Sequence, residues 1–116
     1  MSTAQKTAIL AQVGHFYFGA VGQFYVGANT EADTSAAYHW YLERNPLVAE
    51  IFLIELNSAM DHVARNPRRW PRMGDVYRRY LLGRFPYSVV YQVKPRHVEV
   101  LAVAHHRRRP GYWTVR

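Results

Sequence analysis

Three β-prone segments near the C-terminal end of the chain are joined by connections of only a few residues. They are Val76–Leu82, Tyr87–Lys94 and Val98–His105, and glycine or proline interrupts each connection. Connections this short can join only antiparallel neighbours, because a parallel pair needs a crossover of a dozen or more residues. This part of the sequence therefore predicts a three-stranded antiparallel meander.

The middle segment of the meander alternates in polarity. One set of alternate positions holds Tyr87, Val89, Tyr91 and Val93, and the other holds Ser88, Val90 and Gln92. Since successive side chains of a strand point to opposite faces, we expect one face of the sheet to be wetter than the other. Tyr87 and Tyr91 are expected to pack in the core.

A first helix is predicted before the meander, over residues 31–44. Asn29 or Thr30 would cap it, and acidic residues in its first turn suit the helix dipole. Its packed face is expected to consist of two pairs at i, i+4 spacing, Ala36 with Trp40 and Ala37 with Tyr41.

A second helix is predicted over residues 46–65. Asn45 is placed to cap it, and Pro46 suits the first helical position because the N–H that proline lacks would be unpaired there. Asn66-Pro67 should end the helix. A broad apolar stripe, expected to contact both the first helix and the sheet, consists of Leu47, Val48, Ile51, Phe52, Ile54, Leu56, Ala59 and Val63.

The first 28 residues predict a short hairpin. Aromatic, β-prone runs on either side of Gly19-Ala-Val-Gly22 indicate a strand at about 22–27 and a looser one at about 13–18. We expect residues 1–21 to be an N-terminal extension, either partly disordered or an extra strand. A length of 116 residues favours one domain, which we place at residues 22–116.

Positive charge is concentrated in the C-terminal half of the chain. Residues 65–116 contain 13 of the 15 Lys and Arg residues but only two acidic residues, Asp75 and Glu99. Nearly all of these cations are arginine, whose planar guanidinium binds carboxylates and phosphates through two parallel hydrogen bonds. The distribution predicts an acidic partner, either nucleic acid or an acidic protein, unless the charge serves solubility alone.

The most basic stretch also carries large aromatic residues. Arginine and aromatic residues dominate the binding energy of protein interfaces, so this stretch is a candidate docking surface. The residues expected to bind a target are Arg84, Arg107, Arg108, Arg109, Tyr112 and Trp113. Trp113 is alternatively a structural residue that folds back over the edge of the sheet.

The sequence offers no support for metal or cofactor chemistry. The chain has no cysteine, which suits a reducing compartment. His105 and His106 are adjacent on a strand, so they should point to opposite faces, and no third ligand is near in sequence. We expect no cofactor, and no apolar run approaches the roughly 20 residues that cross a bilayer.

Taken in order, these elements resemble the RelE/ParE superfamily of bacterial toxins over about residues 23–116. The ordered set of motifs carries the match, rather than any one of them. They are Trp40-Tyr41-x-Glu43-Arg44, Asn66-Pro67, Tyr77–Leu82, Arg84–Tyr91 and Val100–Trp113. The resemblance implies an α+β fold, in which an antiparallel sheet of about four strands carries an N-terminal helical hairpin on one face.

The resemblance also implies the toxin of a type II toxin–antitoxin pair. Such a toxin is a cytoplasmic growth inhibitor that a small antitoxin protein neutralises. ParE-like members bind DNA gyrase and block it without a reaction of their own, whereas RelE-like members cut mRNA on the ribosome. We expect a gyrase-directed toxin, with ribosome-dependent mRNA cleavage as the alternative.

Under the alternative, the catalytic residues would be His105, His106, Arg108 and Tyr112. Attack by a 2′-hydroxyl needs a base, an acid and cations for the developing charge. The correspondence with RelE-like enzymes is incomplete, because their middle-strand arginine falls on Ser88. The connector lysines of those enzymes correspond to residues 68–72, where this chain has arginines instead. An arginine side chain stays protonated and therefore cannot act as a base. Whether the chain is an enzyme is therefore open.

Overall fold

The computed structural model describes residues 16–19 and 22–115, with side chains from residue 24 onward. Within them, two helices lie against one face of a six-stranded sheet. The strands are β1 (Phe16–Gly19), β2 (Gly22–Val26), β3 (Arg72–Met73), β4 (Tyr77–Leu81), β5 (Tyr87–Val93) and β6 (His97–His105). The helices are α1 (Ala28–Arg44) and α2 (Pro46–Arg65), and a 3₁₀ turn spans Tyr112–Val115.

The strand order across the sheet is β1-β2-β6-β5-β4-β3. The meander of β4, β5 and β6 is antiparallel, as predicted, and so is the β1–β2 hairpin. The α+β class and the helical hairpin are confirmed. Two details of the predicted sheet are wrong, because it has six described strands rather than about four, and β2 runs parallel to β6.

The differences have simple causes. Strand β2 is separated from β6 by the helical hairpin and the meander, a connection long enough to permit parallel pairing. Strand β3 has only two residues, too few to produce a recognisable alternation. Of the predicted extension at residues 1–21, the structure describes 16–19 as strand β1, and the remainder lies outside the described residues.

Helix α1 begins at Ala28, three residues before the predicted start. Gly27 occupies the N-cap and makes no side-chain capping bond, so the prediction that Asn29 or Thr30 caps the helix is wrong. Thr30 is buried and donates its hydroxyl hydrogen to the carbonyl oxygen of Val100, at 3.2 Å. The hydroxyl that suggested a cap therefore ties the start of α1 to β6.

Helix α2 spans the predicted residues. The side chain of Asn45 accepts a hydrogen bond from the Leu47 N–H at 3.1 Å, and Pro46 occupies the first helical position. Asn66 follows its last residue and donates its N–H to the carbonyl of His62. The apolar stripe is narrower than predicted, because Leu47 and Ile54 are 65% and 51% exposed.

The main core lies between the helices and the sheet. Phe52 of α2 is fully buried, and its ring centroid lies 5.3 to 5.5 Å from those of Tyr41, Phe85 and Tyr87. Tyr91 is also buried, and its hydroxyl donates to the carbonyl oxygen of Pro67. Burial raises the pKa of Tyr91 to about 12. The predicted packing of Tyr87 and Tyr91 is confirmed.

Trp40 does not belong to this core, contrary to the prediction. Its side chain is 52% exposed, and the Arg44 guanidinium stacks on its ring at 3.7 Å. Helix α1 instead turns Ala37 and Tyr41 toward the core, while Ala36 and Trp40 are exposed. The i, i+4 spacing identified two stripes on the helix, and only one of them packs.

The second face of the sheet is drier than predicted. Ser88 and Val90 are only 3% and 1% exposed. The register between β5 and β6 shifts between Val90 and Tyr91, so that Ala102 and Ala104 of β6 join Val90 on this face. Tyr112 and Trp113 cover the three small side chains. The prediction that this face is exposed to water is therefore wrong, because the end of the chain folds over it.

Neither described helix is long and apolar enough to cross a membrane.

We predict that Phe52→Ala lowers the free energy of unfolding by about 3–5 kcal/mol, since it removes a ring that three aromatic side chains contact. Ile54→Ala, on the exposed side of the same helix, should change it by no more than about 0.5 kcal/mol. Chemical denaturation followed by circular dichroism measures both. Equal losses in the two variants would contradict the assigned core.

Candidate functional site

The C-terminal segment, residues 106–115, leaves β6 and crosses the face of the sheet opposite the helices. Its first bond runs from the His106 N–H to the carbonyl of Pro86, at 2.9 Å. Gly111 has a φ of +80°, a left-handed conformation that side-chain-bearing residues rarely adopt. That turn allows the 3₁₀ turn at Tyr112–Val115 to lie back on the sheet.

Trp113 anchors the segment. With Tyr112, it packs on the cluster formed by Val90, Ala102 and Ala104. Its ring meets that of Tyr77 edge-on, with centroids 5.9 Å apart, and that of Tyr112 at 5.6 Å. Aromatic pairs of this geometry add to the stabilisation from burial, so the segment has a defined position on the sheet.

The three consecutive arginines of the segment are exposed. The Arg108 guanidinium lies over the Tyr112 ring at 4.0 Å, a cation–π contact that orients it. Within residues 24–115, no carboxylate lies within 4.0 Å of the guanidinium groups of Arg107, Arg108 or Arg109. The segment therefore presents positive charge that no described acidic group neutralises.

His105 supports the turn that leads into the segment. Its Nδ1 accepts a hydrogen bond from the Arg107 N–H at 3.0 Å, and its ring meets the Tyr87 ring edge-on at 4.9 Å. Burial, followed by the charges of Arg107 and His106, lowers the pKa of His105 below its usual value. The neutral ring carries its proton on Nε2, because Nδ1 is the acceptor. The lone pair that a general base needs is thus occupied.

His106 lies on the other face of the sheet. Its Nε2 is 2.9 Å from the Ser88 hydroxyl, which is buried beneath the segment. The two histidines therefore point to opposite faces, as their adjacency predicted. Among the residues described, no three His, Asp or Glu side chains are close enough to share a metal ion.

Arg84 is separated from the other predicted target-binding residues. Its guanidinium lies 3.8 Å from the Glu55 carboxylate of α2, and its N–H donates to the same carboxylate at 3.2 Å. Arg84 therefore sits on the helix side of the sheet. The structure brings together Arg107, Arg108, Tyr112 and Trp113, with Arg109 beside them.

Two concave surfaces flank the segment, and the sequence did not reveal either. An open groove of about 720 Å³ runs between α1 and the end of β6, lined in part by Trp40, Tyr41, Arg107 and Arg108. Trp40 was missed because its spacing suited a core residue equally well.

The second concave surface is a cavity of about 370 Å³ between the segment and the sheet, and Tyr77 and Arg79 contribute to it. Their i, i+2 spacing on β4 could have placed both on one face. The sequence allowed Trp113 to fold back over the edge of the sheet, but it did not indicate that the end of the chain would lie on this face, opposite Tyr77 and Arg79.

Comparisons with known proteins agree with this architecture. A solved structure titled "Chromosomal ParDE TA system from P. aeruginosa" has a TM-score of 0.64 and 19% sequence identity. The similarity covers 71% of this chain and 92% of that one, and it shows a shared fold. No curated protein matches the chain.

The protein is therefore a toxin with the RelE/ParE-like fold, as the sequence motifs predicted. Within that class it belongs to the ParE toxin family of type II toxin–antitoxin systems, parDE, whose family model matches residues 28–110. A toxin of this family has an antitoxin as its partner. The family match ends at Pro110, so the segment's arginines lie inside it, and Tyr112 and Trp113 lie beyond it.

We predict that His105 titrates below 6.5, its unshifted value, in ¹H–¹⁵N NMR spectra. Arg107→Ala should raise this pKa, because it removes a neighbouring cation that disfavours the imidazolium. Because the folded pKa is the lower one, the unfolded chain binds this proton more readily. Protonation of His105 therefore destabilises the fold as the pH falls from 6.5 through the folded pKa.

The matched control is Arg96→Ala, which removes a cation from the β5–β6 turn at the other end of the sheet and should leave the His105 pKa unchanged. A His105 pKa above 6.5, or equal responses to the two substitutions, would show that the assigned surroundings of this ring are wrong.

Proposed function

We propose that this toxin inhibits growth by binding DNA gyrase through the exposed arginines of the C-terminal segment. The observation that carries the proposal is the combination of a fixed position and uncompensated charge. Trp113 holds the segment on the sheet, while Arg107, Arg108 and Arg109 extend from it without acidic partners among residues 24–115. Membership of the ParE family supports gyrase as the target class.

The chemistry of the surface suits docking. Arginine and aromatic residues supply most of the binding energy in protein interfaces, and a side chain already fixed in place loses less entropy on binding. Arg108 is held over Tyr112, so part of its freedom is lost before any partner arrives. A basic surface also accelerates association with an acidic protein.

Ribosome-dependent mRNA cleavage is the alternative, and the geometry supports it less well. The Nδ1 of His105 cannot accept a proton from a substrate, because it already accepts a hydrogen bond from the Arg107 N–H. Ser88 occupies the position at which RelE-like enzymes carry an arginine. Its side chain is buried, and its hydroxyl is hydrogen-bonded to His106. His106 is left as the candidate base, with Arg108 and Tyr112 nearby in the same cavity.

The antitoxin is proposed to cover the same basic surface. The groove beside the segment is open, and it joins the exposed Trp40 on α1 to Arg107 and Arg108. An acidic protein lying along this groove would cover apolar surface and neutralise the arginines together. Neutralisation would then follow from simple competition, since the antitoxin and gyrase would need the same guanidinium groups.

We predict that the double variant Arg107→Ala/Arg108→Ala binds purified gyrase about 10- to 100-fold more weakly than the unaltered toxin and loses growth inhibition. The reason is that two exposed guanidinium groups are removed while the aromatic anchor stays in place. Surface-based binding measurements give the affinity, and thermal unfolding verifies that the variant is folded.

The control double variant is Lys94→Ala/Arg96→Ala. It removes the same charge from the exposed β5–β6 turn, at the opposite end of the sheet from the segment. The affinity of this control variant for gyrase should fall much less than that of Arg107→Ala/Arg108→Ala. If both double variants weaken binding equally, total charge determines binding and the segment is not the docking surface. If neither does, gyrase binds elsewhere or is not the target.

A further inference from the structure

The cavity beneath the C-terminal segment shares Arg108, Tyr112 and Trp113 with the proposed docking surface, but docking to gyrase gives the space itself no ligand. It has a volume of about 370 Å³, within the range of small-molecule sites in proteins. The sheet forms its floor through Val90, Ala104 and the buried Ser88, and the segment covers it with Gly111, Tyr112 and Trp113. Such a space is shaped by two independent parts of the fold, the sheet and the returning chain.

The charged side chains that line the cavity are all basic. Its charged and titratable lining residues are Arg79 from β4, Arg108 from the segment, His106, and His105 at the end of β6, whose ring lies against Tyr87 on the other face. Among the residues that the structure describes, no Asp or Glu lines it. An anion would therefore gain favourable interactions from both guanidinium groups, whereas a cation would meet repulsion.

The walls of the cavity favour a flat, partly apolar ligand. Tyr77, Tyr112 and Trp113 contribute aromatic rings, and Met73 adds a flexible apolar side chain. Planar rings and a thioether of this kind favour an aromatic ring over an aliphatic chain.

We propose that this cavity binds a small planar aromatic anion. The carboxylate or phosphate of the ligand lies between Arg79 and Arg108, and its ring lies against Tyr77 and Trp113. The assignment rests on the cavity, the two cations and the aromatic walls, and it does not depend on gyrase being the target. Since the segment forms one wall, an occupied cavity also holds the segment more firmly on the sheet.

The test follows the three indole N–H signals of the ¹⁵N-labelled full chain during titration with phenyl phosphate, with Trp113→Phe assigning the signal of interest. We expect the Trp113 signal to shift and saturate at probe concentrations of up to about 10 mM. The signals of Trp40 and Trp70 should stay in place, because neither residue lines the cavity. Benzoate should shift the Trp113 signal too, and phenol and inorganic phosphate separately much less.

Two variants complete the test. Arg79→Ala should weaken phenyl phosphate binding about tenfold, the loss of one charge-assisted contact. Arg96→Ala removes an equal charge outside the cavity and should leave binding unchanged. The proposal is overturned if the Trp113 signal does not move, if Arg79→Ala binds as well as the unaltered chain, or if inorganic phosphate alone reproduces the shift. Gyrase binding by Arg79→Ala, measured in parallel, keeps this result separate from the docking proposal.

Discussion

Contact between the Trp113 ring and three small side chains on the sheet fixes the position of the C-terminal segment. Val90, Ala102 and Ala104 leave a shallow apolar surface that the indole covers. The register shift between β5 and β6 creates that surface, because it places both alanines on the face away from the helices. Larger side chains at these positions would displace the ring, and the arginines of the segment would lose their fixed position.

Strand β6 links this surface to the rest of the fold. Its Val98, Val100 and Val103 belong to the main core under the helices, and its alanines belong to the second cluster. Beyond the β6 residues that pair with β2, the Asp33 carboxylate of α1 accepts the Val103 N–H at 3.0 Å. One strand therefore links the helix-covered core to the surface on which the segment packs.

The sequence predicted the local elements better than it predicted how they meet. Asn45-Pro46 and the short turns of the meander specify structure through residues close in the chain, and these predictions were confirmed. Trp40 was misassigned because helical periodicity cannot tell which of two stripes finds a partner. Thr30 was misassigned because a hydroxyl that suits an N-cap can equally bind a neighbouring strand, as it does at Val100. The dry second face depends on Trp113 returning to a strand more than 20 residues earlier, and no local pattern encodes that return.

The sequence indicated which residues form most of the candidate site, but not how they are arranged in space. The arginine and aromatic residues of the segment were recognisable in the sequence. Arg84 was grouped with them because of its charge alone, and in the structure it pairs with Glu55.

The most direct test of the account is a gyrase supercoiling reaction with the purified toxin, with and without ATP. We predict that near-stoichiometric toxin leaves plasmid cleaved or unsupercoiled, and normal supercoiling in the presence of excess toxin would contradict gyrase as the target.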